Sequence, residues 1–167
     1  MTDYSVMIDD ITGEEIDEQD LYGDEDEASV SKDLEEHELV SHYEVNQSLT
    51  GTLEELEEGY ARVNFTATED MVVDRRGMIH SGFIFGAANY AAMAAVNIST
   101  AILAVSKTNF LAPLSVNDEA VFEATALQKD TRKRNVMVVG YFNNIKFFEG
   151  EFTIVVLEHH PLSIKLS

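Results

Sequence analysis

The sequence predicts an α+β fold in which a curved antiparallel sheet wraps around one long central helix. One long apolar segment runs from Gly82 to Asn97 without an acidic, basic or proline residue. Segments with strand-like alternation precede and follow it. Short connections join these strands, which favours antiparallel pairing. A helix that is apolar on nearly every side must be surrounded by protein or lipid. The sheet is therefore expected to curl around it.

Acidic residues are concentrated at the start of the chain. The 167 residues carry a formal net charge of -20, and most of the excess precedes His42. Residues 1–38 are expected to form an acidic, flexible N-terminal extension, and residues 39–167 the folded domain. A short interaction segment that docks on the domain or on a basic partner is the alternative for residues 1–38. The acidity argues against unassisted binding to nucleic acid or anionic lipid.

Several classes of site are disfavoured by composition. The chain has no Cys, which excludes disulfide and thiolate chemistry. The carboxylates between Asp20 and Glu27 lack the glycine and the distal Glu of a calcium-binding EF-hand loop, so no metal site is predicted. The first residues are acidic where a signal peptide would be basic, so a cytoplasmic protein is expected. The central helix is shorter than the ~20 residues of a membrane span, so no membrane partner is expected.

The elements follow in chain order. A helix with Ser31 as its N-cap is predicted over residues 31–42. Alternation predicts a first strand over residues 43–49, ended by Gly51, and a half-buried second strand over residues 60–68. Further strands are predicted after the central helix, over residues 101–111, 119–127, 135–142 and 146–157. A tight turn at Asn143-Asn144 is expected to join the last two.

The residues that lead into the central helix form a recognisable pattern: Asp74, Gly77, His80-Ser81-Gly82, Phe85 and Ala88-Asn89. This pattern resembles the phenylacetate-type branch of the hotdog-fold acyl-CoA thioesterase superfamily, and the likeness covers residues 43–157. The resemblance implies the hotdog fold and thioester hydrolysis. It also implies a homodimer or dimer of dimers, with a substrate tunnel between protomers. No cofactor is implied, because the coenzyme A thioester is substrate or ligand.

Two positions depart from that family. Asn89 stands where the family's helix carries a carboxylate, and Asp74 stands where its loop carries Asn. Phe85, Ala88 and Asn89 also resemble the hotdog domain of a bacterial fatty-acid-synthesis repressor, which binds malonyl-CoA without hydrolysing it. Two functions are therefore carried forward: a thioesterase acting on acyl-CoA or an acyl carrier, and a non-catalytic acyl-CoA-binding, regulatory module. A hydratase has less support, because its Asp-x-Asn-x-x-His pattern is not reproduced.

The start of the helix holds the first candidate catalytic groups. The N–H of Gly82 is a natural donor to a developing oxyanion, because amides of the first helical turn lack intrahelical partners. Gly82 alternatively just eases the turn into the helix. His80 is a candidate to orient the substrate carbonyl, hold the loop or act as base, or is a structural His bonded to backbone.

Asp74 and Asn89 complete the candidate catalytic group. Asp74 is the carboxylate nearest the motif and hence a candidate base; alternatively it is an exposed loop acid paired with Arg75 or Arg76. Asn89 can align a water or bond the thioester but cannot accept a proton, and a satisfied core amide is its alternative.

The remaining candidates are expected to bind substrate. Arg132, Lys133 and Arg134 form the basic cluster and are candidates to bind the coenzyme A phosphates, or else an exposed turn. Gly77, Ser81 and Phe85 are candidates through their places in the motif. The aromatic pairs Phe83/Phe85 and Phe147/Phe148 are better explained as core or dimer contacts.

Overall fold

The computed structural model describes residues 7–8, 15–16 and 37–164 and divides the chain into two units, Met1–His37 and Glu38–Ser167. In the first unit, strands β1 (Met7–Ile8) and β2 (Glu15–Ile16) pair antiparallel, with Met7 opposite Ile16. The predicted flexibility of residues 1–38 concerns residues that lie mostly outside the described ranges.

The second unit contains one long helix and six strands. Its elements are α1 (Gln47–Thr50), β3 (Thr52–Glu57), β4 (Tyr60–Thr66), a 3-10 helix (Glu69–Met71), α2 (Ser81–Val96), β5 (Ala101–Phe110), β6 (Glu119–Ala126), β7 (Lys133–Phe142), β8 (Ile145–Val156) and a 3-10 helix (Pro161–Ser163).

The six strands form one antiparallel sheet in the order β3-β4-β6-β7-β8-β5. Helix α2 contacts every strand of this sheet. A straight helix reaches all six strands only if the sheet curves around it. The predicted fold class, a curved antiparallel sheet around one central helix, is therefore confirmed.

Alternation along the strands decides which face covers the helix. On β4, Ala61, Val63 and Phe65 are buried, and on β6 the buried residues are Ala120, Phe122 and Ala124. Both faces agree with the period-two pattern of the sequence. Strands β7 and β8 meet at Asn143 and Asn144, which have φ of 49° and 61°. Positive φ at both residues is the requirement of a tight hairpin turn, so that prediction is also confirmed.

The core lies between α2 and the concave face of the sheet. Every residue from Tyr90 to Val96 is buried, and the many alanines let the helix approach the strands closely. Phe122 contacts Phe147 and Phe148 edge-on, with ring centroids 5.6 and 5.7 Å apart. Truncating such a fully buried ring to Ala costs about 3–5 kcal/mol. Within the described residues, no helix is both long and apolar enough to cross a membrane.

The strand predicted over residues 43–49 is wrong. Asn46 caps a short helix instead, because its Oδ1 accepts the N–H of Ser48 at 3.1 Å, and α1 follows from Gln47 to Thr50. The first strand of the sheet is β3, in a Glu-rich segment without clean alternation. A register shift between Leu53 and Glu55 lets Leu53 and Leu56 share the partly buried face, which masks the strand pattern.

The helix predicted over residues 31–42 is wrong for residues 37–42, which are not helical; residues 31–36 lie outside the described ranges. The side chain of Asn97, after the last residue of α2, binds this backbone. Its Oδ1 accepts the N–H of Val40 at 2.8 Å, and its Nδ2 donates to the carbonyl of Glu38 at 2.8 Å. A backbone held by these bonds has its polar groups satisfied without helix formation.

Candidate functional site

The loop before α2 is built on Asp74. One carboxylate oxygen, Oδ1, accepts the N–H groups of Arg76 at 2.9 Å and Met78 at 3.1 Å. The N–H of Gly77 donates to the Asp74 carbonyl, and Gly77 has φ of +82°, a conformation suited to glycine. Within residues 37–164 the Asp74 carboxylate forms no ion pair with a neighbouring arginine. Asp74 therefore shapes the loop while its other oxygen stays available.

Two backbone bonds fix where the helix starts. The N–H of Ile79 donates to the carbonyl of Leu114 at 3.0 Å, and the N–H of His80 donates to the carbonyl of Met71 at 2.9 Å. These bonds tie the loop both to the 3-10 helix and to the segment before β6. The start of α2 is thus held by elements on each side of it.

His80 caps α2. Its Nδ1 accepts the N–H of Gly82 at 2.8 Å, so the amide predicted to serve an oxyanion already has an acceptor here. The N–H of Ser81 has no acceptor among the described residues. All three residues are exposed, and the partial positive charge of a helix N-terminus favours a negative group beside them.

An apolar depression, which we call the entrance groove, opens beside this helix start. Its volume is about 470 Å³. It is lined by Val73, Met78, Ile79, His80, Ser81, Ile84 and residues 110–113. A mostly apolar groove with a few polar groups at one end is the usual form of a site for a small molecule with an apolar body.

Asn89 lies in a different depression, the Asn89 groove, of about 650 Å³. It is lined by residues 40–45, Asn89, Met93, Ser99, residues 101–103, His160 and Pro161. The Oδ1 of Asn89 is enclosed and has no hydrogen-bond partner among the described residues. Within one chain, Asn89 on α2 and His80 directly before it therefore line separate grooves.

The basic cluster is only partly assembled. Arg132 and Arg134 line a third depression, the arginine groove, of about 610 Å³, together with Asp130 and Glu158. Arg134 donates from Nε to the carbonyl of Thr131 at 3.1 Å. Lys133 lies next to Arg134 on β7, where successive side chains point to opposite faces of the sheet. The structure therefore brings together two of the three predicted cations.

The motif's aromatic residues are packed against the core. Phe85 is half-buried, and its ring centroid lies 5.7 Å from that of Phe152. Phe147 and Phe148 are buried, as the sequence predicted. The ring of Phe85 therefore contributes to packing between α2 and β8.

Solved structures resemble this chain in both fold and sequence. No protein-family model matches it. An uncharacterized protein from Pyrococcus horikoshii is 37% identical, with a TM-score of 0.73 over 75% of this chain and 96% of that chain. A sigma28-regulated virulence protein from Campylobacter jejuni is 41% identical, with a TM-score of 0.72 over 74% of this chain and 96% of that chain.

A further solved structure has a similar fold at lower sequence identity. A hypothetical thioesterase from Streptococcus pneumoniae, solved with coenzyme A, is 14% identical, with a TM-score of 0.63 over 71% of this chain and 95% of that chain. The chain belongs to one family with the proteins from Pyrococcus horikoshii and Campylobacter jejuni, and it has the hotdog fold. Its six-stranded sheet and single long helix are those of the hotdog fold.

Curated relatives of this hotdog chain carry other names. A methylthioribose-1-phosphate isomerase from Aquifex aeolicus is 40% identical over 119 residues, which cover 71% of this chain and 26% of the isomerase. The transcription factor FapR from a Thermoanaerobacter strain is 27% identical over 123 residues, which cover 70% of this chain and 62% of that protein. The chain thus spans a quarter of one relative and less than two thirds of the other.

In this hotdog domain the sequence motif identified the start of α2 but missed the surroundings of Asn89. Ser41 and His42 line the Asn89 groove although they precede the first strand of the sheet by several residues. Asn97 holds their backbone from the far end of the helix. The left-handed backbone of Asn97, with φ of 49°, is typical of Asn at a helix end, but its long-range partners leave no local signal.

Proposed function

We propose that this hotdog domain binds and hydrolyses an acyl thioester, of coenzyme A or of an acyl carrier, at the N-terminus of α2. The observation that carries the proposal is the exposed His80-Ser81-Gly82 start of an otherwise buried helix, open to the apolar entrance groove. A thioester carbonyl beside these amides would receive hydrogen bonds as its oxygen becomes negative. The unoccupied N–H of Ser81 is the donor that needs no rearrangement.

The apolar lining of the entrance groove supports an apolar acyl group as part of the substrate. Met78, Phe110 and Leu111 are large apolar residues of this groove, and each is more than one-third exposed. Exposed apolar area of this kind is removed from water when a ligand or a partner covers it. Arg132 and Arg134 supply positive charge that suits the coenzyme A phosphates.

A dimer would bring the separate grooves closer to one site. Strand β5 is an edge of the sheet, and Val105 on it is 61% exposed. An unpaired edge strand is a template for a strand of another chain. In hotdog thioesterases the sheets of two protomers join, and the substrate tunnel lies between them. Asn89 of one protomer would then act together with His80 and Ser81 of the other.

The test is a free-thiol assay with a panel of acyl-CoAs of different chain length. Asp74→Asn keeps an oxygen that can accept the N–H groups of Arg76 and Met78, so it removes the carboxylate with little change to the loop. Loss of turnover in Asp74→Asn with retention in Asn89→Ala would assign the base to Asp74. Absence of turnover by the wild-type protein with every chain length would overturn the hydrolase proposal.

A non-catalytic acyl-thioester-binding module is the second candidate. It is favoured by the amide of Asn89 where a hydrolase of this kind carries an acid, and by the N–H of Gly82, which His80 already occupies. The similarity to FapR, a transcription factor, points the same way. Isothermal titration with coenzyme A esters distinguishes the two, since binding without release of free thiol supports the module.

A further inference from the structure

The Asn89 groove contains a Ser-His pair that the motif does not include. The Oγ of Ser41 lies 2.7 Å from Nδ1 of His42. Ser41 is only 4% exposed, and His42 and Asn89 line the same groove. The imidazole of His42 therefore shares a groove with Asn89, the helix position at which the resembling thioesterases carry a carboxylate.

The position of His42 is held by its own chain segment. Its backbone has φ of 58°, in the left-handed region that residues other than glycine seldom adopt. The Oδ1 of Asn97 accepts the N–H of Val40 at 2.8 Å and that of Ser41 at 3.3 Å, which ties the segment to the end of α2. An uncommon backbone conformation persists where the surroundings impose it, and such residues cluster at functional sites.

The Oδ1 of Asn89 needs a hydrogen-bond donor. It is enclosed, and none of the described residues donates to it. An enclosed amide oxygen without a donor is a place for a water or a ligand N–H. An amide can orient a water but cannot take its proton. The groove therefore needs a base, and the imidazole of His42 is a group of the right chemistry there.

We propose that His42 is the general base of thioester hydrolysis, that Ser41 is its positioning residue, and that Asn89 orients the attacking water. This assignment rests on the proposed function. With Nδ1–H donating to Ser41 Oγ, the lone pair of His42 lies on Nε2. Holding the tautomer through the other ring nitrogen is how a basic nitrogen is kept aimed at its target.

The reaction balances with water as the only co-reactant. Nε2 of His42 takes a proton from the water as its oxygen forms a bond to the thioester carbon. The carbonyl oxygen becomes an oxyanion that the free N–H of Ser81 at the start of the other protomer's α2 would stabilise, since the two grooves are separate within one chain. When the oxyanion collapses, the carbon–sulfur bond breaks and the sulfur leaves with the proton from His42. The products are a carboxylic acid and a free thiol.

The electrostatics of the groove agree with this role. His42 is exposed as a residue, but partial burial of its ring lowers the pKa below its usual 6.5, so the ring is neutral and able to accept a proton near pH 7. The other titratable groups that line the groove are Tyr43, Glu44 and His160. Partial burial of the ring is the cause that lowers the pKa of His42.

The first variant is His42→Asn, because Asn tolerates a left-handed backbone better than most residues do. We expect kcat to fall about 100-fold or more, with little change in KM. His37→Asn is the matched control, since His37 lines none of the three grooves, and it should keep the wild-type kcat. Circular dichroism and thermal melting of both variants verify folding.

Imidazole rescue separates catalysis from a structural role. In His42→Gly the glycine accepts φ of 58°, and added imidazole should restore part of kcat with a saturable dependence on its concentration. A folded His42→Asn that keeps kcat within a few-fold of an active wild type would overturn the His42 assignment while leaving the proposed function intact. Wild-type protein without turnover on any acyl-CoA would overturn both.

Discussion

The Nδ1 atom of His80 accepts the backbone N–H of Gly82 at 2.8 Å, so the first turn of the central helix is capped by the residue directly before it. A Cβ atom added at Gly82 would lie 2.7 Å from that same Nδ1. The glycine is therefore required by the cap itself, because any side chain there displaces the imidazole ring.

Gly82→Ala should lose this cap. Loss of an N-cap bond costs about 1 kcal/mol, which offsets the ~1 kcal/mol that Ala gains over Gly inside a helix. Gly86→Ala is the matched control, because a Cβ there meets no atom within 4 Å. We expect Gly86→Ala to raise the free energy of unfolding in urea by about 0.5–1 kcal/mol. The free energy of unfolding of Gly82→Ala should lie about 1 kcal/mol below that of Gly86→Ala. Equal stabilities of the two variants would show that His80 is no cap in solution.

Asn97→Gly should weaken the attachment of residues 38–41. Glycine accepts φ of 49° but cannot bond the backbone of Glu38, Val40 and Ser41. Because water can replace these mostly exposed bonds, their loss should lower the free energy of unfolding by about 0.5–1.5 kcal/mol, measured by urea denaturation at constant protein concentration. Asn144→Gly, at φ of 61° in an exposed hairpin turn, is the control and should change stability by less than about 0.5 kcal/mol. If both variants lower the free energy of unfolding by the same amount, the side chain of Asn97 does not stabilise residues 38–41.

The parts of the fold that follow from local pattern were predictable from sequence. The strands from β4 to β8 keep clean alternation or β-branched runs. The apolar run from Gly82 requires that the central helix be buried by the sheet. Strand β3 was not predictable, since the shift between Leu53 and Glu55 puts its two leucines three residues apart on one face. Residues 47–50 form a helix because of the cap at Asn46, a signal weaker than the apparent alternation around it.

The candidate site divides in the same way. The start of α2 was predictable, because Gly77, His80 and Gly82 act on residues close to them in sequence. The groove around Asn89 was not, since it is completed by residues 40–45, which precede Asn89 by more than forty positions. Asn97 connects to Val40 across 57 positions. Contacts of this length depend on the tertiary fold and have no periodic or local signature.

Arg132→Gln should weaken the binding of coenzyme A esters. An exposed cation contributes about 0.2–1 kcal/mol to an ion pair, so we expect the dissociation constant to rise about 1.4- to 5-fold. The same variant is compared with dephospho-coenzyme A, which lacks the 3′-phosphate. A smaller rise in the dissociation constant for that ligand would locate the 3′-phosphate at the arginine groove. Lys133→Gln is the matched control, because Lys133 points to the other face of β7. Isothermal titration that finds equal effects for both variants would contradict the phosphate site.

The stability of the domain should depend on pH through His42. Partial burial of the ring lowers the pKa of this imidazole in the folded protein below the 6.5 of the unfolded chain, although the residue as a whole is exposed. Between these two values the unfolded chain binds more protons than the folded one, so stability rises with pH. The contribution of His42 to the free energy of unfolding is complete above pH 6.5. It is lost as the pH falls through the pKa of His42 in the folded protein. Urea denaturation from about pH 8 to about pH 5 should show this loss in the wild type, and His42→Asn should reduce it. Carboxylates contribute their own slope at lower pH and are present in both proteins, so the difference between the two curves isolates His42. Parallel curves across this range would show that the ring of His42 is freely solvated.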